Sequence, residues 1–206
     1  MQYPLSLSFK VLAIAQQVTV SDAAGTVIFH VKQKAFKLKE DVTVFGDTAQ
    51  TRPLYTIKAD RVLDFSGRYQ FTDAATGAPV GSVKRQGMKS LWKAQYDVFA
   101  PGVNANAPGA AAPLLSISEE NPWIKVLDGV LGEIPVVGMF TGYLFHPAYL
   151  AARPGGSGET VLRLVKEPAF FEGRFRIEQK AALAPEEETR ALLALLMLVL
   201  LERGKG

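Results

Sequence analysis

Residues 191 to 201 read Ala191-Leu192-Leu193-Ala194-Leu195-Leu196-Met197-Leu198-Val199-Leu200-Leu201, an apolar run with no polar interruption. An ordinary surface helix keeps one polar face. A helix that is apolar all round either crosses a membrane or is surrounded by protein. The flanks mark the ends. Pro185 suits a first helical position, Glu186, Glu187 and Glu188 set negative charge against the positive end, and Arg203 with Gly204 closes the other end. At 1.5 Å per residue the run covers roughly 17 Å, against the ~30 Å of a hydrocarbon core. Extending it upstream meets Arg190 and three glutamates. The length therefore predicts a core helix rather than a membrane span.

Something must enclose that helix, and the preceding sequence reads as strands. Val18-Thr19-Val20 and Val27-Ile28-Phe29-His30-Val31 flank Ser21-Asp22-Ala23-Ala24-Gly25. Asp binds its own backbone in a turn and Gly accepts positive φ, so this pattern predicts a hairpin. The unit recurs, with Val42 to Phe45 meeting Leu54 to Ile57 across Gly46-Asp47-Thr48, and Tyr69 to Phe71 meeting Val80 to Val83 across a turn containing Asp73 and Gly77. Further strands are predicted at Trp92 to Phe99, Leu114 to Ser118, Tyr143 to Phe145, Tyr149 to Ala151, Thr160 to Lys166 and Gly173 to Gln179. Sequential strands joined by short turns argue for an antiparallel meander. A sheet can surround a helix on every side only by curling around it. The expected fold is mainly β with few helices, a closed antiparallel barrel around the C-terminal helix.

Alternation assigns the faces. Val27, Phe29 and Val31 share the inner face, while His30, Lys32 and Lys34 share the outer one. Parity then flips, with Phe36 and Leu38 inward and Lys37 and Lys39 outward, which predicts a bend at Gln33 to Ala35. Pro101 to Pro113, rich in Gly, Ala, Asn and Pro, is expected to be a long hairpin loop within one domain spanning residues 1–206. Asn121 is a cap for a short helix from Pro122 to Leu131. The segment Gly132 to Gly142 is too broken by glycine and Pro135 for a membrane helix.

The third hairpin, Gly77-Ala78-Pro79-Val80-Gly81-Ser82-Val83-Lys84-Arg85, resembles the G-x-x-V-G-x-V-K-R signature of the LURP-one-related family. The Val18-to-Lys34 and Val42-to-Ala59 units, and the ending Lys180-Ala181-Ala182-Leu183 before the apolar helix, are similar to that family too. The family is grouped with the tubby C-terminal domain and the phospholipid scramblases. The resemblance implies about twelve strands around a hydrophobic C-terminal helix, and basic side chains that meet phosphoinositide headgroups. A scramblase-like calcium loop is not implied here, because Lys166 to Gly173 holds just two carboxylates and calcium takes six or more oxygens.

Chemistry-bearing residues are sparse. With no cysteine there is neither a disulfide, a thiolate metal site nor a lipidated thiol. The two histidines, His30 and His146, have no partner at metal-ligand spacing. Gly155-Gly156-Ser157-Gly158 lacks the Lys-Ser/Thr that grips phosphates and precedes a strand. No enzyme, cofactor or metal is expected. A net charge of +3 falls short of a nucleic-acid-binding composition. Polar residues interrupt Leu5 to Val20, so no secretory signal is read and a cytoplasmic protein is expected. The remaining constellation is basic: Lys32, Lys34, Lys37 and Lys39, then Lys84, Arg85, Lys89 and Lys93. Outward lysines of this kind either solvate the wall or hold it to an anionic membrane surface from the cytoplasmic side. The leading expectation is a non-enzymatic barrel that binds anionic lipid headgroups peripherally. A structural or protein-interaction module, with Pro101 to Pro113 and Gly132 to Gly142 as partner surfaces, is the alternative, and a lipid carrier is disfavoured because the helix fills the interior.

Overall fold

The computed structural model describes residues 1–10, 15–34, 41–60, 67–86, 95–103, 111–120, 148–155, 158–168 and 172–203. Their strands, in chain order, are β1 (Leu5–Lys10), β2 (Ala15–Ser21), β3 (Val27–Lys34), β4 (Asp41–Phe45), β5 (Pro53–Ala59) and β6 (Arg68–Asp73). Then follow β7 (Pro79–Arg85), β8 (Gln95–Phe99), β9 (Leu115–Glu119), β10 (Ala148–Ala152), β11 (Thr160–Glu167), β12 (Glu172–Gln179) and the helix α1 (Pro185–Arg203). Each strand pairs antiparallel with the next, and β12 returns to β1 through Leu5↔Ile177 and Leu7↔Phe175, so the twelve strands close into a barrel.

Three hairpins turn on aspartate, as the sequence predicts. Asp22 Oδ1 accepts the backbone N–H groups of Ala24 and Thr26 at 3.0 and 2.9 Å. Asp47 accepts from Thr51 and Arg52 at 3.1 and 2.8 Å, and Asp73 from Ala75 and Thr76 at 3.0 and 2.8 Å. These N–H donors hold the carboxyls of Asp47 and Asp73 below the ordinary value. The turns set the register, and the register aligns the apolar face. Phe175, Leu7, Val20 and Phe29 thus meet across four neighbouring strands, all buried.

The interior is filled by α1. Every residue from Ala191 to Leu200 is 1 % exposed or less. The helix's first turns are tied to the wall. Tyr3 Oη donates to Glu188 at 2.9 Å, and Arg153 forks onto Glu187 at 2.9 and 3.1 Å. One turn on, Arg190 Nε donates to the Val80 carbonyl at 2.7 Å. The three first-turn glutamates therefore do more than oppose the helix dipole, since two of them also fasten it. Burial and the neighbouring Glu188 push the Tyr3 phenol well above its usual range.

Val98 pairs with Leu115, so the strands on either side of the 101–113 segment are neighbours. Gln95 begins β8, and residues 92–94 lie outside the described residues. The expected strand at 143–145, the helix at 122–131, the 132–142 segment and His146 also lie outside them, as does the parity flip at residues 35–40.

His30 is outward by parity, as the alternation predicts, but it is covered. It is only 4 % exposed, because Thr19 on β2 and Phe45 on β4 lie opposite it and its Nδ1 is hydrogen-bonded to Thr19 Oγ1 at 2.9 Å. Burial, and secondarily Lys32, lower its pKa below the ordinary 6.5, while Asp47 opposes the shift. The sign follows. Below 6.5 the unfolded chain binds a proton that the folded chain resists, so stability is full above 6.5 and falls as pH drops toward the folded value. Urea melts between neutral pH and about pH 5 should show this loss, and it should vanish in His30→Asn. Every other titratable group, His146 included, is common to both proteins, so the difference between the two slopes isolates His30. An unchanged slope in the variant would show that His30 is not held neutral.

Candidate functional site

The wall divides into sectors of different charge. On β11 and β12, Arg163 and Arg176 are neutralised. Arg163 meets Glu120 at 2.8 Å and Glu178 at 3.6 Å, and Arg176 meets Glu178 at 3.3 Å and Glu167 at 3.4 Å. Lys180 sits 2.8 Å from Glu178 and leads in holding that carboxyl below its ordinary value. On β4 and β5, Lys58 faces Asp41 at 3.7 Å. Exposed pairs of this kind contribute little to stability, but they cancel local field.

The sector over β6 to β9 is a covered polar network. Arg68 donates to Ser82 Oγ at 3.1 Å and to the Val103 carbonyl, and Asp97 accepts from Ser116 Oγ at 2.7 Å and from Gln86. Ser82 and Asp97 are buried although both lie on the outer face. Lys84 stands in this network, opposite Arg68 on one side and Asp97 on the other, and is half-buried with interactions of its own. Sequence reasoning missed Arg68 and Asp97. The available signal was the single carboxylate in Gln95-Tyr96-Asp97-Val98-Phe99.

The members of the basic set that are described are thus separated. Lys32 is exposed on β3, and Lys34 ends that strand opposite Ala15. Lys84 lies on β7, four strand spacings from β3, or roughly 19 Å around the wall. Arg85 shares the inward parity of Val83, and its register partner is the buried Tyr96. Lys84 and Arg85 therefore face opposite sides of the sheet. Lys37, Lys39, Lys89 and Lys93 lie outside the described residues.

The sector over β12, β1, β2 and β3 is different. Arg174 is exposed on β12, and its register path runs through Ser8 and Thr19 to His30, two residues from Lys32. Glu167, opposite Arg174, pairs instead with Arg176. Among the described residues Arg174 and Lys32 have no ion-pair partner, and uncharged Ser8, Gln17 and Thr19 lie between their strands. β12 and β3 are three spacings apart, about 14 Å.

Thr19 and His30 have the spacing of a nucleophile and its base. Their setting does not suit the role: His30 is buried and disfavours a proton, and both Asp47 oxygens accept backbone N–H groups of their own turn. The pair fastens β2 to β3. Among the described residues no group of three or more His, Asp or Glu side chains could hold a metal, and no helix is long and apolar enough to cross a membrane.

The family model described as LURP-one-related matches residues 5–125, more than half of the chain and all of β1 to β9. The chain belongs to the LURP-one-related family. Among curated proteins none matches this LURP-one-related chain. It is similar to an X-ray structure of a protein from Arabidopsis thaliana at 15 % identity, over 97 % of this chain and 91 % of that one, with a TM-score of 0.48. In this LURP-one-related barrel the segment Gly77 to Arg85 completes the Asp73 turn and forms β7. Its Gly81 has φ +156°, and a Cβ there would lie 2.7 Å from the Phe99 carbonyl and 3.2 Å from the Arg190 side chain. Glycine at this position lets the wall approach the helix.

Proposed function

We propose that residues 1–206 form one non-enzymatic barrel that attaches peripherally to an anionic surface from the cytoplasmic side, through the outer wall over β12, β1, β2 and β3. The observation that carries this reading is the pair of exposed cations Lys32 and Arg174, which have no ion-pair partner among the described residues, with uncharged Ser8, Gln17 and Thr19 on the path between them. Lys34 follows Lys32 on the same strand, and Lys37 and Lys39 follow in sequence. Each basic residue close to an anionic membrane contributes about 1 kcal/mol, so several acting together give weak, salt-sensitive adhesion. The filled interior supports the same view, because Leu192 to Leu200 take the volume a carried ligand would need. Lipid headgroups are the anions in this reading, and the wall's cations act as a set rather than as a fitted pocket.

Co-sedimentation with phosphatidylserine-containing vesicles at low salt tests it. Reversing Lys32 and Lys34 to Glu should weaken binding about tenfold or more, and Arg174→Glu should weaken it further. Unchanged binding in the double reversal, or no binding by the unmodified protein, would refute this reading.

A further inference from the structure

One arc of the inner wall breaks the apolar rule. At the barrel end where α1 finishes, Tyr69 on β6, Arg85 on β7, Tyr96 on β8, Glu119 on β9 and Tyr149 on β10 all hold inward register positions. Tyr96, Glu119 and Tyr149 are buried and engaged in interactions of their own, although neither Glu119 carboxylate oxygen receives a hydrogen bond among the described residues. Arg85 is not so provided for. Its Nε is shielded from solvent and has no hydrogen-bond acceptor among the described residues. A guanidinium cannot shed its proton to escape that cost, and a buried donor on a charged group left unpaired is expensive. Opposite Arg85, just before β6, is buried Gly67, whose carbonyl accepts the Arg85 backbone N–H at 3.4 Å, so no side chain there fills the space beside it. Tyr69 pairs with Val83, two residues away on the same face, and diagonal neighbours on a sheet lie about 7–8 Å apart. Among the described residues the Tyr69 hydroxyl has no hydrogen-bond partner. The Arg85 charge acts on it, drawing down a phenol pKa that burial raises.

We infer that Arg85 and Tyr69 form an oxyanion site inside the rim of the barrel, which takes a phosphate or carboxylate group. The guanidinium offers Nε–H together with a terminal N–H as a planar fork, and the phenol supplies a third donor from the neighbouring strand. An oxyanion accepts all three, and among the described residues neither the Arg85 Nε–H nor the Tyr69 hydroxyl has another acceptor. The site lies on the inner face and Lys84 on the outer, so the adjacent basic residues of the signature segment serve separate surfaces. It does not depend on the outer-wall reading, since Lys32 and Arg174 belong to other strands and to the opposite face.

The test is a titration of the full chain with inorganic phosphate at constant ionic strength, following the Arg85 Nε–Hε resonance by NMR. A saturable shift of that resonance is expected. Arg85→Gln should weaken phosphate binding about tenfold or more, and Tyr69→Phe by a smaller factor, while the Lys32 and Lys34 reversals leave it unchanged. Should Arg85→Gln fold poorly, the Tyr69→Phe titration and the resonance itself still decide. Parallel titrations with phosphatidylcholine vesicles, with and without phosphatidic acid, separate the sources. An Arg85-dependent response to phosphatidic acid assigns the oxyanion to a lipid, and a response to free phosphate alone assigns it to a soluble ester or acid. No saturable shift with either probe, or phosphate binding that survives Arg85→Gln, overturns the inference.

Discussion

Leu196→Asp is expected to abolish folding of this protein. Leu196 is 0 % exposed, in the middle of the Ala191 to Leu200 stretch that the barrel buries throughout. The substitution removes a packed side chain, worth about 2–5 kcal/mol, and puts a carboxylate where no cation or donor awaits it, at a further cost of several kcal/mol. A domain's whole stability is about 5–15 kcal/mol. The variant should therefore be found insoluble or unfolded by circular dichroism. Leu196→Ala is the graded companion. It leaves a cavity without a charge and should still fold, with a melting temperature lower by something on the order of 10 °C. A soluble Leu196→Asp protein with the parent's melting curve would place the helix outside the barrel.

The second large effect is expected at Gly81. Valine there must adopt φ near +156°, a region L side chains avoid, and its Cβ would meet the Phe99 carbonyl at 2.7 Å. That oxygen belongs to the neighbouring strand β8 and cannot swing away as a side-chain tip can. The same branched side chain would press on Arg190, whose Nε holds the Val80 carbonyl. Strain, the clash and a weakened tie between wall and helix together should cost several kcal/mol, seen as loss of most of the stability in urea melts. Gly25→Ala is the control. Gly25 also has positive φ, +82°, but a Cβ there meets nothing within 4 Å, so the loss should be about 1–2 kcal/mol. Equal effects at the two sites would mean that backbone strain alone, and not the close approach to β8 and α1, makes Gly81 necessary.

Much of the barrel was legible because its signals are local. The hairpin aspartates act on backbone groups within five residues, so Asp22, Asp47 and Asp73 could be read directly. One strand escaped notice. In β1 the residues Leu5, Leu7 and Phe9 alternate with Ser6 and Ser8, a clear two-residue period. Its partner β12 lies at the other end of the chain, and no turn pairs it with that strand locally. The pairing that closes the barrel, Leu5 with Ile177, spans nearly the whole sequence.

The candidate site was less legible. Lys84 and Arg85 look like one basic dipeptide, yet a strand's pleat sends them to opposite faces, and only the burial of Val83 and Tyr96 shows which face is inside. Arg174 gave no signal because its importance is relative. It matters through what Arg163 and Arg176 have already bound, which depends on the placement of Glu120, Glu167 and Glu178. His30 was assigned outward correctly by parity, but its exposure depends on Thr19 and Phe45 from two other strands.

Residues 191 to 201 show where the division falls. Sequence alone determined that this helix is apolar all round, too short to cross a bilayer and in need of a curled sheet, because periodicity, length and caps are properties of neighbouring residues. Only the tertiary structure decided how it is held, by Tyr3, Arg153 and the Val80 carbonyl, and which of the wall's charges remain unpaired. The reason is physical. An ion pair or a close backbone approach joins groups far apart in the chain, and its energy exists only once the register of twelve strands has brought them together.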